Sequence, residues 1–350
     1  MDLTPFDFDL PEAQIALRPV EPRDTSRLLV VHGDGRLEDR VFRDLPDILL
    51  SADMLVFNDT RVLPAALKAI RPARDEIGHD IKVDLNLVEP IDEDHWRALA
   101  RPGRRLRRGD RLIIADGFET EIMAKHEGGY VDISFDSGGR SLREALEAYG
   151  SMPLPPYIAR RRAADKQDRT DYQTRFASDD AASVAAPTAG LHFTPELLQR
   201  LAAQSQPRET VRLNVGLGTF APLTDNHWKT GTLHEEWREV STITAGRLND
   251  QRARGGRIIP VGTTSMRTLE SAWGRDGIQA VKGPTDIFLR PGDPIHATDG
   301  LITNFHLPKS SLFMLVSALM GTDTMQSAYA HAIREGYRFY SYGDACLLLP

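Results

Sequence analysis

A chain of 350 residues with 41% hydrophobic and 27% charged residues has room for two cores and the composition of an ordinary water-facing fold. A formal net charge of −7 excludes a protein that coats nucleic acid non-specifically, and the longest apolar stretch, 312–320, is far short of the roughly 20 residues of a membrane span, so no membrane partner is expected. The acidic start at Met1-Asp2 lacks a signal peptide's basic segment, and the single cysteine, Cys346, cannot form an internal disulfide; both point to the cytoplasm.

In chain order, 28–31 reads as a short strand, Gly33-Asp34-Gly35 as a turn and 37–41 as the returning strand. Residues 44–50 form one or two helical turns capped by Asp44, and 54–58 is a buried-type strand ending in Asp59-Thr60-Arg61. From about 66 the texture changes. Ile81, Val83, Leu85 and Leu87 alternate with Lys82, Asp84 and Asn86, the period of a strand with one buried face. Short strands follow at 111–114, 120–124 and 130–135, separated by Asp116-Gly117 and Glu127-Gly128-Gly129 turns. This predicts a small β-barrel. It carries seven arginines between 97 and 111, among them Arg101, Arg104, Arg105, Arg107 and Arg108, which either contact phosphate or form a solvated face. Ser141-Leu-Arg-Glu144 is a capping box opening a helix that stops at Gly150, and Met152-Pro-Leu-Pro-Pro-Tyr157 is a stiff extended link. The barrel, 65–150, is therefore expected as an insertion into a main domain of 1–64 and 151–350.

Beyond the link, small residues from Ser183 run into a loop holding Thr188, Gly190 and His192; Thr194 then caps a helix to 203 with Pro195 at its first position. Strand 211–215 enters Gly216-Leu217-Gly218-Thr219-Phe220. Helix 244–254, strand 257–261 and helix 266–273 follow, then strands 285–289 and 301–303, helices 311–320 and 324–335, and a closing strand at 345–349. The alternation predicts an α/β main domain with a largely parallel sheet.

Chemistry concentrates in the strand-to-helix loops. They hold His192, the Thr263-Thr264-Ser265 hydroxyls with Arg267, and Asn304 with His306. Histidine suits proton transfer near neutral pH, and helix starts offer unpaired N–H groups to anions. Arg267 either holds a carboxylate or phosphate or forms a salt bridge; Phe193, Phe220 and Phe305 either stack on a base or pack in the core. Gly216-Leu-Gly218-Thr-Phe-Ala221 formally fits a dinucleotide loop, but Pro222 and Asp225 would break the helix that loop must open; the glycines instead admit a close ligand or a packed neighbour. His234-Glu235-Glu236-Trp237-Arg238 has arginine where a zinc helix needs its second histidine, so no metal is predicted.

The chain resembles the S-adenosylmethionine:tRNA ribosyltransferase-isomerase family of the queuosine pathway. The strings that carry the resemblance include Ser26-Arg-Leu-Leu29, Leu55-Val-Phe-Asn-Asp-Thr-Arg61, Val184-Ala-Ala-Pro-Thr-Ala-Gly-Leu-His-Phe193, Val261-Gly-Thr-Thr-Ser265, Leu301-Ile-Thr-Asn-Phe-His-Leu-Pro308 and Tyr337-Arg-Phe-Tyr-Ser-Tyr-Gly-Asp344. It implies an α/β domain with an inserted barrel. It also implies transfer and isomerisation of the ribosyl unit of S-adenosylmethionine onto 7-aminomethyl-7-deazaguanine at the tRNA wobble position, with adenine and methionine released. S-adenosylmethionine would be a consumed substrate, with no further cofactor; the partners would be that tRNA and S-adenosylmethionine, and the chain a monomer. On this reading His192 and His306, then His234 and Glu236, are the acid–base candidates. Arg267 with Thr263–Ser265 would hold the methionine carboxylate, and Asp286 or Asp299 the ribose hydroxyls. Thr188, Gly190, Phe193, Asn214, Gly216, Gly218, Thr219 and Asn304 would complete the site. The family's His-Val-Gly is Asn214-Val-Gly216 here, and its Met-His-Ser-Glu is Leu233-His-Glu-Glu236; asparagine cannot exchange a proton near pH 7. The rival readings are an S-adenosylmethionine-dependent RNA methyltransferase and a non-catalytic RNA-binding protein.

Overall fold

The computed structural model describes residues 2–75, 77–179, 183–216 and 223–350. Its strands, in chain order, are β1 (Arg27–His32), β2 (Leu37–Val41), β3 (Met54–Asn58), β4 (Ala66–Arg71), β5 (Ile81–Pro90), β6 (His95–Arg101), β7 (Arg111–Ala115), β8 (Phe118–Lys125), β9 (Tyr130–Asp136), β10 (Arg208–Asn214), β11 (Thr232–Val240), β12 (Ile258–Val261), β13 (Trp273–Gly274), β14 (Gly277–Ile278), β15 (Val281–Ile287), β16 (Leu301–Asn304) and β17 (Ala345–Leu349).

Two compact units divide the chain. One comprises Met1–Arg61, Gln173–Ala181 and Ala186–Pro350, the other Val62–Tyr172 and Ala182–Ala185. The first is built on a nine-stranded sheet ordered β15-β11-β10-β3-β12-β16-β17-β1-β2. The expected α/β class holds, and the sheet is mixed. β10, β3, β12 and β16 run parallel, as do β17 and β1, while β11, β15 and β2 join antiparallel and β16 meets β17 antiparallel. β3 is buried on both faces, as its Met-Leu-Val-Phe run requires of a central strand. Alternate residues of the strands feed two cores. Leu55, Phe57, Val261 and Ile302 join Phe42, Phe193, Leu197 and Leu201 on one face; Met54, Val56, Val211 and Val240 join Leu248 and Leu269 on the other. Helix Pro195–Ala203 starts as expected. The Thr194 hydroxyl accepts the Leu197 N–H at 3.2 Å, and Leu197 and Leu201 face the core, each contributing about 2 kcal/mol by burial.

The second unit holds a closed barrel ordered β4-β5-β6-β9-β8-β7, all antiparallel. Val83, Leu85, Leu87, Ala98, Leu112, Phe118, Ile122, Val131 and Ile133 fill it. Ser141 and Glu144 form the expected capping box on helix Leu142–Tyr149. Gly150 is required after it, because a Cβ there would lie 1.9 Å from the Pro64 carbonyl oxygen. The stretch from Ser151, expected as the return to the larger domain, packs with the barrel: Ser151 bridges Ala66, and Arg169 donates to the Glu147 carboxylate (3.0 Å) and the Gly150 carbonyl (2.8 Å). No helix among the described residues is long and apolar enough to cross a membrane.

Candidate active site

The strand directions bring the C-terminal ends of β3, β10, β12 and β16 and the N-terminal ends of β1 and β17 to one edge of the large sheet. That edge is where unpaired backbone groups and loop side chains meet in an open sheet. The expected loops therefore do converge, and they divide between the two faces.

On the face of Phe57 and Phe193, His192 is 5% exposed and stacks on Phe42 with ring centroids 4.8 Å apart. Its Nδ1 lies 2.8 Å from the Ser26 hydroxyl and its Nε2 3.2 Å from the Asn304 amide nitrogen. Asn304 Oδ1 in turn accepts from the Thr188 hydroxyl at 3.0 Å, which orients the amide and makes Nε2 of His192 the acceptor. The proton then sits on Nδ1, facing Ser26 and the Arg23 carbonyl. Burial pushes the imidazole down to about 3, and the charges of Arg338 and Arg23 push the same way, so the ring is neutral.

On the opposite face, Glu236 of β11 and Arg267 of helix Thr263–Ser271 form an ion pair with both side chains about 95% buried. The other Glu236 oxygen accepts the Gly216 N–H at 3.4 Å. Arg267 Nε and the Thr264 hydroxyl are buried with no hydrogen-bond partner among the described residues. Gly262 enters this helix at φ +92°, a conformation that favours glycine, and no side chain caps the helix start. Ser265 is turned inward, its hydroxyl donating to the Val261 carbonyl at 3.0 Å. Between the two faces, Asn214 Oδ1 accepts from Thr60 at 3.0 Å, and Arg212 forms a two-bond ion pair with Asp59 at 2.8 Å.

Several expected residues lie elsewhere. His306 does not meet His192: its ring bonds Thr303 at 3.1 Å and its backbone N–H donates to the Tyr329 hydroxyl at 2.9 Å. The reason is strand alternation, since Thr303 faces away from Ile302 and Asn304. Burial holds this ring at about 3 as well. His234 is exposed and meets His227 edge-on at 5.0 Å. Asp299 stands at the far end of the sheet, accepting the Ile258 N–H (2.9 Å) and pairing with Arg252 (3.1 Å) where β12 begins. Asp286 is exposed on the edge strand β15. Phe193 and Phe305 pack in the interior rather than at the edge, Phe193 against Phe42 and Phe57, Phe305 against Tyr329, Tyr337 and Phe339. Gly190 packs against Thr174, within 3.2 Å of where a Cβ would stand. Gly218, Thr219 and Phe220 lie outside the described residues. Arg101, Arg104, Arg105, Arg107 and Arg108 are exposed, with no hydrogen bond or ion pair from their guanidinium groups to described residues. Among the described residues no cluster of three or more His, Cys, Asp or Glu side chains is placed to hold a metal ion.

Ser26, which bonds His192, and Arg23 and Arg338, whose charges act on it, are neighbours of these loops that reading by motif type missed. Serine and arginine in short strings carry no chemistry by spacing alone, and only the sheet order brings them to the loops.

A family model described as queuosine biosynthesis protein matches residues 3–348. The S-adenosylmethionine:tRNA ribosyltransferase-isomerase of Hyphomonas neptunium is 65% identical over the whole of both chains, and that of Maricaulis maris is 53% identical over 99% of each. The crystal structure of S-adenosylmethionine tRNA ribosyltransferase from Thermotoga maritima, 33% identical, matches with a TM-score of 0.56 over 99% of this chain and 100% of that one. With its barrel, its sheet edge and its whole length accounted for, the chain belongs to the queuosine biosynthesis protein family.

Proposed function

We propose that this protein is an S-adenosylmethionine:tRNA ribosyltransferase-isomerase that moves the ribosyl unit of S-adenosylmethionine onto 7-aminomethyl-7-deazaguanine at the wobble position of tRNA, releasing adenine and methionine. It works as a cytoplasmic monomer and consumes S-adenosylmethionine as a substrate, with no further cofactor. The observation that carries the reading is a buried carboxylate, Glu236, anchored by Arg267 beside an uncapped helix start at the loop edge. A sulfonium acidifies the neighbouring 5′ carbon of the ribosyl unit, so a modest base such as a carboxylate can take that proton. Glu236 is the proton acceptor in this reading. The free N–H groups of Thr263–Ser265 receive the methionine carboxylate, as helix starts receive anions. Arg267 acts on the substrate through Glu236. His192, neutral and bonded at both nitrogens, positions Asn304 and Thr188 toward the edge. The barrel arginines take tRNA phosphates.

Incubation with S-adenosylmethionine and tRNA carrying the aminomethyl deazaguanine tests this reading. Free adenine and methionine in equal amounts are expected. Labelled methyl groups in the RNA with S-adenosylhomocysteine would mean a methyltransferase, and binding without release would mean a non-catalytic RNA-binding protein.

A further inference from the structure

Of two strings that carry the family resemblance, 26–29 and 337–344, only Ser26 enters the mechanism above, and the fold joins the two. Asp344 accepts the backbone N–H of Arg27 at 3.0 Å and of Arg338 at 2.8 Å, so one carboxylate ties the start of β1 to the loop before β17. Beside this tie a pocket opens between Arg23, Leu191, His192, Arg338, Ser341 and Tyr342. Arg338 is held in place but not used up. Its Nη1 donates to the Arg18 carbonyl at 3.2 Å, Asp344 stands 3.7 Å from Nη2, and the side chain keeps 30% of its exposure. A guanidinium has five donors, and here the described residues take one. The His192 ring that lines the pocket is neutral, so the positive charge comes from Arg23 and Arg338.

We propose that this pocket is an anion subsite that seats a backbone phosphate of the RNA substrate between Arg23 and Arg338. The proposal rests on the functional reading above. The sulfonium substrate carries one carboxylate and no phosphate, and the helix start at Thr263–Ser265 is there to receive that carboxylate. A second cationic site on the same sheet edge then belongs to the other substrate, which offers a phosphate at every nucleotide. A guanidinium matches phosphate oxygens in geometry as well as charge.

The test is tRNA binding by filter retention across a salt series, for the parent protein, Arg338→Gln and Arg23→Gln. Calorimetry of S-adenosylmethionine binding and thermal melting run alongside. Each variant is expected to bind tRNA about tenfold more weakly, with the slope of log affinity against log salt reduced by about one, while S-adenosylmethionine affinity stays within twofold. Arg338→Lys should recover part of the loss. If Arg338→Gln melts early, Arg23→Gln decides. Parental tRNA affinity and slope in a folded variant would overturn the proposal, and so would a loss confined to S-adenosylmethionine, which would make the pocket the carboxylate's. The binding measurement needs no turnover, so it stands apart from the adenine-release assay: a parent protein that binds tRNA through these arginines but releases no adenine would sink the enzyme reading alone.

Discussion

The two faces of the sheet edge bury polar groups in opposite ways. On one, Thr188, Asn304, His192 and Ser26 form a neutral relay against Phe42 and Phe193, where an aromatic core makes charge expensive. On the other, Glu236 and Arg267 are buried as an ion pair next to Gly216 and an unsatisfied helix start. Replacing a buried ion pair by apolar groups is often neutral or stabilising, so such a pair is weak evidence for a stabilising role. A neutral relay, fully bonded, fixes geometry without charge. In the proposed mechanism, chemistry belongs to the charged face and positioning to the neutral one.

The largest effect should come from breaking the ion pair. Glu236→Gln leaves Arg267 uncompensated, and we expect adenine release to fall at least about 100-fold and unfolding free energy to drop by about 3–5 kcal/mol. The double variant Glu236→Leu with Arg267→Met separates the two roles: stability should return to near the parent's, with activity still absent. Restored activity there would show that the pair is only structural. His192→Ala should cost less, about 1–3 kcal/mol for the partners it leaves unbonded, with a moderate fall in turnover. If His192→Ala instead abolishes turnover at parental stability, the neutral face takes part in chemistry and the assignment reverses. On the barrel, changing Arg104, Arg105 and Arg107 to glutamine should raise the KM for tRNA about tenfold and flatten its salt dependence. The guanidinium groups of these arginines have no bonded partners among described residues, unlike those of Arg74 with Asp110 (2.6 Å) or Arg97 with Glu89 (2.8 Å) and Asp132 (3.0 Å), so changing the side chains should leave melting unchanged.

How legible this was depended on the range of the signal. The barrel followed from period-two alternation and glycine turns, and helix Pro195–Ala203 from Thr194 and Pro195, all local rules. His192 with Asn304 and Thr188 was placed in the right company because strand-to-helix loops share an edge. The sequence groups His306 with them, because spacing along the chain does not show which face of β16 a side chain takes after the strand ends. Asp299 has an acid's chemistry but sits five residues before Asn304, just beyond the other end of that strand. Arg267 reads from the sequence as either an anion ligand or one side of a salt bridge, but Glu236 as its partner does not, because it lies 31 residues away on a strand whose position depends on the whole sheet order.

The smallest effect tests whether the neutral face is neutral. An unfolded histidine titrates near 6.5, while His192 in the fold is held at about 3. Between those values the unfolded chain binds a proton that the folded chain refuses, so this residue's contribution is full above pH 6.5 and is lost as pH falls toward 3. His306 behaves the same way, and each adds a slope of up to about 1.4 kcal/mol per pH unit. Carboxylates of the unfolded chain stay largely ionised above pH 5, so the difference between parent and variant in urea unfolding between pH 5.0 and 6.5 reports the histidine that was changed. His192→Gln should keep the fold and lower the slope in that window by about one proton. An unchanged slope would mean that the ring already exchanges its proton with water in the folded protein. It would then no longer be the locked element of a neutral relay, and His192 would rejoin Glu236 as a candidate proton acceptor.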